Sequence, residues 1–190
     1  MRTPFLFTFL LILITGSCRA VLPAGDRVLG IELASSGNES LELVFDSAME
    51  LGAGCIPICF TWAELEPNRS GFNSTPLEML TEVNDLSSAY HCAIELTISP
   101  FNAGRIEIPS DMASLPLNHP VVIQRFEILL DSVFQRIPRV GLLALNVGME
   151  TDRWIGSFTK RRDEFAAFFQ VAKVHAEAWY AALHDGAELD

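Results

Sequence analysis

The chain has 190 residues, with 13 Lys or Arg against 24 Asp or Glu, for a formal net charge of −11. Its one basic cluster is Lys160, Arg161 and Arg162. Binding phosphates needs far more clustered cations, so nucleic acid and anionic membrane surfaces are disfavoured as partners; a neutral carbohydrate is compatible.

Residues 1–20 read as an export signal. Arg2 gives a positive start, Pro4 to Ile14 is almost wholly apolar, and Gly16, Ser17 and Ala20 suit a cleavage site. The apolar run is short for a membrane span. Thr15 to Cys18 loosely fits a lipoprotein processing site with Cys18 as the lipidated residue, but plain export to the periplasm or medium is the preferred reading. Removing this segment takes away Arg2 and Arg19, which leaves residues 21–190 two charges more acidic than the whole. That length is enough for one domain with a real core.

A strand is expected over Arg27–Leu33, then a helix from Ser40, a good N-cap, to Leu51, ended by Gly52 and Gly54. A second strand, Cys55–Thr61, contains Pro57, which a central strand tolerates poorly. A long loop then leads to a helix over Pro76–Tyr90. The third strand, Ala93–Ser99, is followed by a loop of about twenty residues. Pro120, suited to a first helical position, opens a helix reaching Arg136. Val140–Val147 is the fourth strand and Arg162–His184 the last helix. The third of these helices carries Val122, Phe126, Leu129, Leu130 and Val133 at three- and four-residue steps, and the last carries Phe165, Phe168, Phe169, Ala172, Ala176 and Trp179.

Strands alternating with helices imply right-handed crossovers and a parallel sheet, with the long loops, and the functional face, at the strand carboxyl ends. Two architectures fit: a (β/α)4 half of an eight-stranded TIM barrel, or a small doubly wound sheet. A whole barrel takes about 250 residues. An open half-barrel exposes strand edges, which predicts self-association or a complementary half.

Cys55 and Cys59 share a strand face, and their spacing matches no zinc pattern. A Cys55–Cys92 bridge is geometrically conceivable, but buried thiols are the preferred reading. No metal or cofactor is expected. Gly52-Ala-Gly54 follows a helix rather than a strand, the wrong side for cradling phosphate, and no serine sits in a nucleophile elbow.

The residues that suit chemistry lie just past the strands. Trp62 fits a platform for a sugar ring or, equally, a filler between barrel and loop. Glu64 and Glu66 can accept hydroxyl hydrogen bonds, though Glu66 more simply orders the turn before Pro67. Asn102 follows the third strand in a loop that turns at Gly104. After the fourth strand, the apolar run from Leu142 breaks at Gly148 and presents Glu150 and Asp152. Cleaving a glycosidic bond needs a protonated carboxyl near the leaving oxygen and a second carboxylate across the sugar. Burial beside Met149 and Trp154 would raise the pKa of Glu150 for that role; the plainer alternative is an ordinary rim residue. Asp152 lies nearer the rim. With Trp62 and Asn102, residues Asn146, Asp152 and Trp154 form the expected substrate contacts.

The stretch from Trp62 to Phe72 (Trp-Ala-Glu-Leu-Glu-Pro-Asn-Arg-Ser-Gly-Phe) resembles the Trp…Glu-Pro…Gly-Phe/Tyr segment after the second strand of clan A glycoside hydrolase barrels. Asn146-Val-Gly-Met-Glu150 resembles the Gly-Asn-Glu end of their fourth strand, as in the endo-galactanase and cellulase-like branch. The resemblance spans residues 26–185 and implies the N-terminal half of such a barrel, directed at O-glycosidic bonds in a polysaccharide or oligosaccharide. It makes Glu150 the acid/base. Met149 replaces the asparagine that holds the sugar 2-hydroxyl, and the nucleophilic glutamate of the seventh strand has no counterpart. The competing expectation is a non-catalytic half-barrel that binds carbohydrate or serves in assembly.

Overall fold

A computed structural model describes residues 29–31 and 40–183. The expected export segment and most of the expected first strand lie outside the described residues.

Three parallel strands, β1 (Cys55–Thr61), β2 (Ala93–Ser99) and β5 (Leu142–Val147), form the sheet in the order β1-β2-β5. Gly30 makes a parallel bridge to Cys55 on the outer side of β1. The Ile31 amide donates to the Cys55 carbonyl at 3.2 Å, so the chain before β1 runs alongside it. The four lines of backbone therefore lie side by side in sequence order with no reversal, whereas a doubly wound sheet reverses at a switch point.

The helices are α1 (Leu41–Glu50), the single turn α2 (Trp62–Leu65), α3 (Ser74–Tyr90), α4 (Pro120–Phe134), the short α5 (Thr151–Ile155) and α6 (Thr159–Leu183). Ser40 caps α1 through its hydroxyl, and Pro120 stands in the first turn of α4 behind His119, whose ring accepts from the Val121 amide at 3.2 Å. α3 starts before Pro76 because the Asn73 side chain caps it, and it ends at His91 in a left-handed conformation. Between β2 and α4 lie a small hairpin of β3 (Phe101–Asn102) and β4 (Arg105–Ile106) and a 3-10 turn at Ser110–Met112, not an unstructured loop.

One sheet face is covered and the other is not. Ile56, Ile58 and Phe60 of β1 and Ile94, Leu96 and Ile98 of β2 are buried in a core shared with Leu80, Val83, Phe126, Leu129 and Phe168. Their alternates Pro57, Glu95 and Thr97 are half-buried, and Cys59 is exposed. Helices on one face only are the signature of a barrel wall, since doubly wound sheets are covered on both. The fold is a partial (β/α) barrel, and the uncovered face is the barrel's interior.

One irregularity decides which residues reach that interior. Ile94 pairs with Leu142 but Glu95 pairs with Ala144, so Leu143 is an extra residue in β5 without a partner. Side chains alternate with a period of two, so one inserted residue exchanges the faces of everything beyond it. In unbroken register Asn146 would lie opposite Ile98, on the packed face. With the bulge it lies opposite Thr97, on the open one.

Candidate functional site at the strand carboxyl ends

The loop after β1 is locked. Thr61 and Glu64 form a reciprocal cap on α2: the Glu64 amide donates to Thr61 Oγ1 at 3.2 Å and the Thr61 amide to Glu64 Oε2 at 2.6 Å. Trp62 has no exposed surface. Its ring lies edge-on to Phe126, with centroids 4.9 Å apart, and stacks on Phe168 at 6.2 Å. Its Nε1 donates to Glu66 Oε2 at 2.9 Å, and Arg125 Nε donates to Glu66 Oε1 at 2.7 Å. Arg125 also pairs with Asp111, and that hydrogen bond holds the Asp111 carboxyl below the usual carboxylate range. Burial works against the Arg125 charge, but its hydrogen bonds to Asp111 and Glu66 outweigh that and raise its pKa. The expectation of Trp62 as a sugar platform is corrected here: both ring faces are packed, and the residue fills the space between sheet and helices. Glu66 orders the turn, as its plainer reading had it.

The loop after β2 hangs on Ser99, which is fully buried. Its hydroxyl donates to the Phe101 carbonyl at 2.7 Å and accepts from the amides of Phe101 at 3.0 Å and Met149 at 2.9 Å. This ties β2 to the residue just before Glu150. The hairpin turns at Ala103 and Gly104, both at positive φ, and leaves Asn102 exposed. A Cβ on Gly104 would stand 3.2 Å from that of Arg153, so the hairpin tip packs closely on α5.

The loop after β5 is strained and open. Gly148 has φ +113°, and a Cβ there would come within 2.7 Å of Thr151 Oγ1. Glu150 has φ 50° and ψ 35°, the left-handed region that costs a residue with a side chain roughly 1–2 kcal/mol. Its side chain is 38% exposed and pairs with Arg153 Nη1 at 2.8 Å. The apolar setting expected around it is therefore absent: Met149 is itself exposed and Trp154 turns away. Trp154 is 5% exposed, stacked on Phe101 with centroids 4.7 Å apart, and Arg161 donates to its carbonyl at 2.7 Å. Like Trp62, Trp154 is corrected from substrate contact to packing. Asp152 is exposed on α5.

On the inner face Cys59, Thr97 and Asn146 form one row across the three strands, with Pro57, Glu95 and Ala144 a row below. Asn146 Nδ2 donates to Glu95 Oε1 at 2.7 Å and lies 3.3 Å from Thr97 Oγ1. Glu95 is four residues below the end of β2, roughly 13 Å from the mouth at strand rise. Cys55, Cys59 and Cys92 are thiols, and no disulfide joins Cys55 to Cys92. Burial raises the pKa of both, helped for Cys55 by the nearby Glu95 charge. Cys59 differs from its expected burial: it is exposed, with Sγ 3.8 Å from Met149 Sδ. No group of three His, Cys, Asp or Glu side chains suited to a metal occurs among the described residues. Sequence reasoning missed Arg125 and Asp111, which lie far along the chain from Glu66, and the role of Ser99. The four-residue spacing of Trp62 and Glu66 was the one available hint.

No protein-family model matches the chain. No curated protein matches it. Solved structures do. An exo-β-1,4-mannosidase, Op5Man5 from Opitutaceae bacterium strain TAV5, superposes with TM-score 0.62 at 14% identity over 82% of this chain and 30% of its own. A GH5_18 protein from Bifidobacterium longum subsp. longum, in complex with Manβ1-4GlcNAc, gives 0.58 at 12% identity over 71% and 34%. The endoglucanase Cel5A of Pseudomonas stutzeri gives 0.55 at 16% identity over 80% and 48%. The chain spans less than half the length of each. At these identities the likeness establishes the fold: part of a glycoside hydrolase-like barrel.

Proposed function

We propose that this protein acts on carbohydrate, with Glu150 as the acid/base in hydrolysis of O-glycosidic bonds. In this reading the Glu150 carboxyl gives its proton to the leaving glycosidic oxygen as the bond to the anomeric carbon breaks. A carboxylate on the far side of the sugar, from outside residues 40–183, completes the reaction. Arg153, paired with Glu150 at 2.8 Å, must swing aside for the carboxyl to meet the glycosidic oxygen. Asn102, Asn146 and Asp152 are the polar contacts for sugar hydroxyls.

The observation that carries the reading is the Glu150 backbone. A left-handed non-glycine residue directly past a strand end is held there against its preference, and such strain concentrates at functional sites. The neighbours' names, a β-1,4-mannosidase and an endoglucanase, point to β-1,4-linked oligosaccharides as the class to test. Release of 4-nitrophenol from aryl β-mannosides and β-cellobiosides tests it. Glu150→Gln is expected to lower turnover about a thousandfold, and turnover indifferent to that change overturns the assignment.

The Glu150–Arg153 ion pair favours a second reading, saccharide binding without cleavage. Binding of cellobiose or Manβ1-4GlcNAc with no turnover selects it. Residues 1–20 we read as an export signal ahead of a domain over 21–190. N-terminal sequencing of protein recovered from the medium or periplasm should begin near residue 21, and an intact Met1 there contradicts the reading.

A further inference from the structure

Trp62 and Trp154, the two expected aromatic platforms, are both packed away, yet an apolar surface faces the same space. Met149 is 37% exposed immediately before Glu150, and its Sδ touches the exposed Cys59 Sγ at 3.8 Å. The contact is fixed from two sides. The Met149 amide is held by Ser99 Oγ at the end of β2, and Cys59 is held by the β1–β2 ladder opposite Thr97. In the row of Cys59, across Thr97, stands Asn146. Its Nδ2 hydrogens are directed at Glu95 and Thr97, so what it can offer a ligand is the acceptor Oδ1.

We propose that Cys59 and Met149 form the apolar floor of a saccharide subsite on the inner face, with Asn146 Oδ1 accepting from a hydroxyl at its edge. The inference rests on the carbohydrate reading above. A pyranose presents an apolar C–H face and a rim of hydroxyls. The inner face presents the two soft, polarisable sulfurs at the β1 side and, across Thr97, the Asn146 acceptor at the β5 side, a surface amphipathic in the same sense. Dispersion contacts to sulfur are individually small but add up over a ring face. Methionine is flexible enough to follow the ring.

The test uses the Cys59 thiol as reporter. Iodoacetamide labelling, read by peptide mass mapping, is compared with and without saturating cellobiose or Manβ1-4GlcNAc, while calorimetry gives binding independently. The buried Cys55 and Cys92 act as internal controls, since their labelling reports unfolding. Bound saccharide is expected to slow Cys59 labelling about fivefold or more. Met149→Ala is expected to weaken binding about tenfold, and Met149→Leu, which keeps the apolar volume, to stay within about twofold of the parent. Saccharide that binds while Cys59 labelling and the Met149→Ala affinity stay unchanged overturns the subsite and leaves the carbohydrate reading standing. No calorimetric binding of either probe to the parent protein overturns both.

Discussion

Two loops at the mouth are built from the same three residue types. After β1, Trp62, Glu66 and Arg125 form a buried knot in which both carboxylate oxygens of Glu66 are engaged and the Glu66 side chain is 7% exposed. After β5, Glu150, Arg153 and Trp154 form a looser set, with the carboxylate and guanidinium in solvent and the backbone at positive φ. The first arrangement spends every hydrogen bond on holding the loop to α4. The second leaves its carboxylate one weak ion pair away from a ligand. Residue type and position at a strand end do not separate scaffold from site. Burial and engagement of the carboxylate do: both Glu66 oxygens are taken up inside, although Arg125 Nη2 beside them is buried without a hydrogen-bond partner among the described residues.

The sharpest way to break this contrast is at the knot. Trp62→Ala removes a fully buried ring and its bond to Glu66, and should cost about 3–5 kcal/mol in denaturant unfolding. Glu66→Ala leaves Arg125 buried without that partner, at about 3 kcal/mol; a loss below half of that shows the knot to be slack. The opposite sign is expected across the mouth. Glu150→Gly relieves the left-handed strain and should stabilise by about 1 kcal/mol while abolishing any Glu150-dependent turnover.

Acid sharpens the comparison further. The Asp111 pKa is lowered in the fold, so its contribution is fully present above the ordinary carboxylate pKa and is lost as pH falls through the depressed folded value. Thermal unfolding of the parent should therefore lose more Tm below the ordinary carboxylate range than that of Asp111→Asn; parallel pH curves contradict this. The smallest effect is reserved for Arg153→Ala. An ion pair this exposed is worth about 0–1 kcal/mol, so unfolding should barely move even though the Glu150 carboxylate is left unpaired.

Strand limits were legible where an apolar run met a hard stop. Cys55–Thr61 and Ala93–Ser99 emerge as read, and Ser40 and Pro120 mark their helices because capping is local chemistry. What depends on distant partners was not. Whether Trp62 faces ligand or core is decided by Phe126 and Phe168, more than sixty residues away. α5 is a five-residue helix inside what reads as a loop, and it carries Trp154 inward. The bulge at Leu143 left only Gly141 as a mark, a glycine inside the expected strand that hints at an irregularity without saying where it falls, since Leu142 and Leu143 are equally suited to a strand. The direction of Asn146 was therefore beyond reach of the pattern.

That bulge makes β5 a strand of two phases. Its first residue keeps time with the wall of helices, and its last four keep time half a period later, which is why Asn146 belongs to the lumen. The chemistry of the lumen is thus set by a count of residues as well as by their kinds. Replacing Asn146 changes one group, whereas drawing Leu143 into the ladder opposite Glu95 would shift the whole end of the strand, setting Leu145 opposite Thr97 and Asn146 opposite Ile98 in the wall. Deleting Leu143 takes out the extra residue and keeps Asn146 opposite Thr97, so the lumen row should survive that deletion.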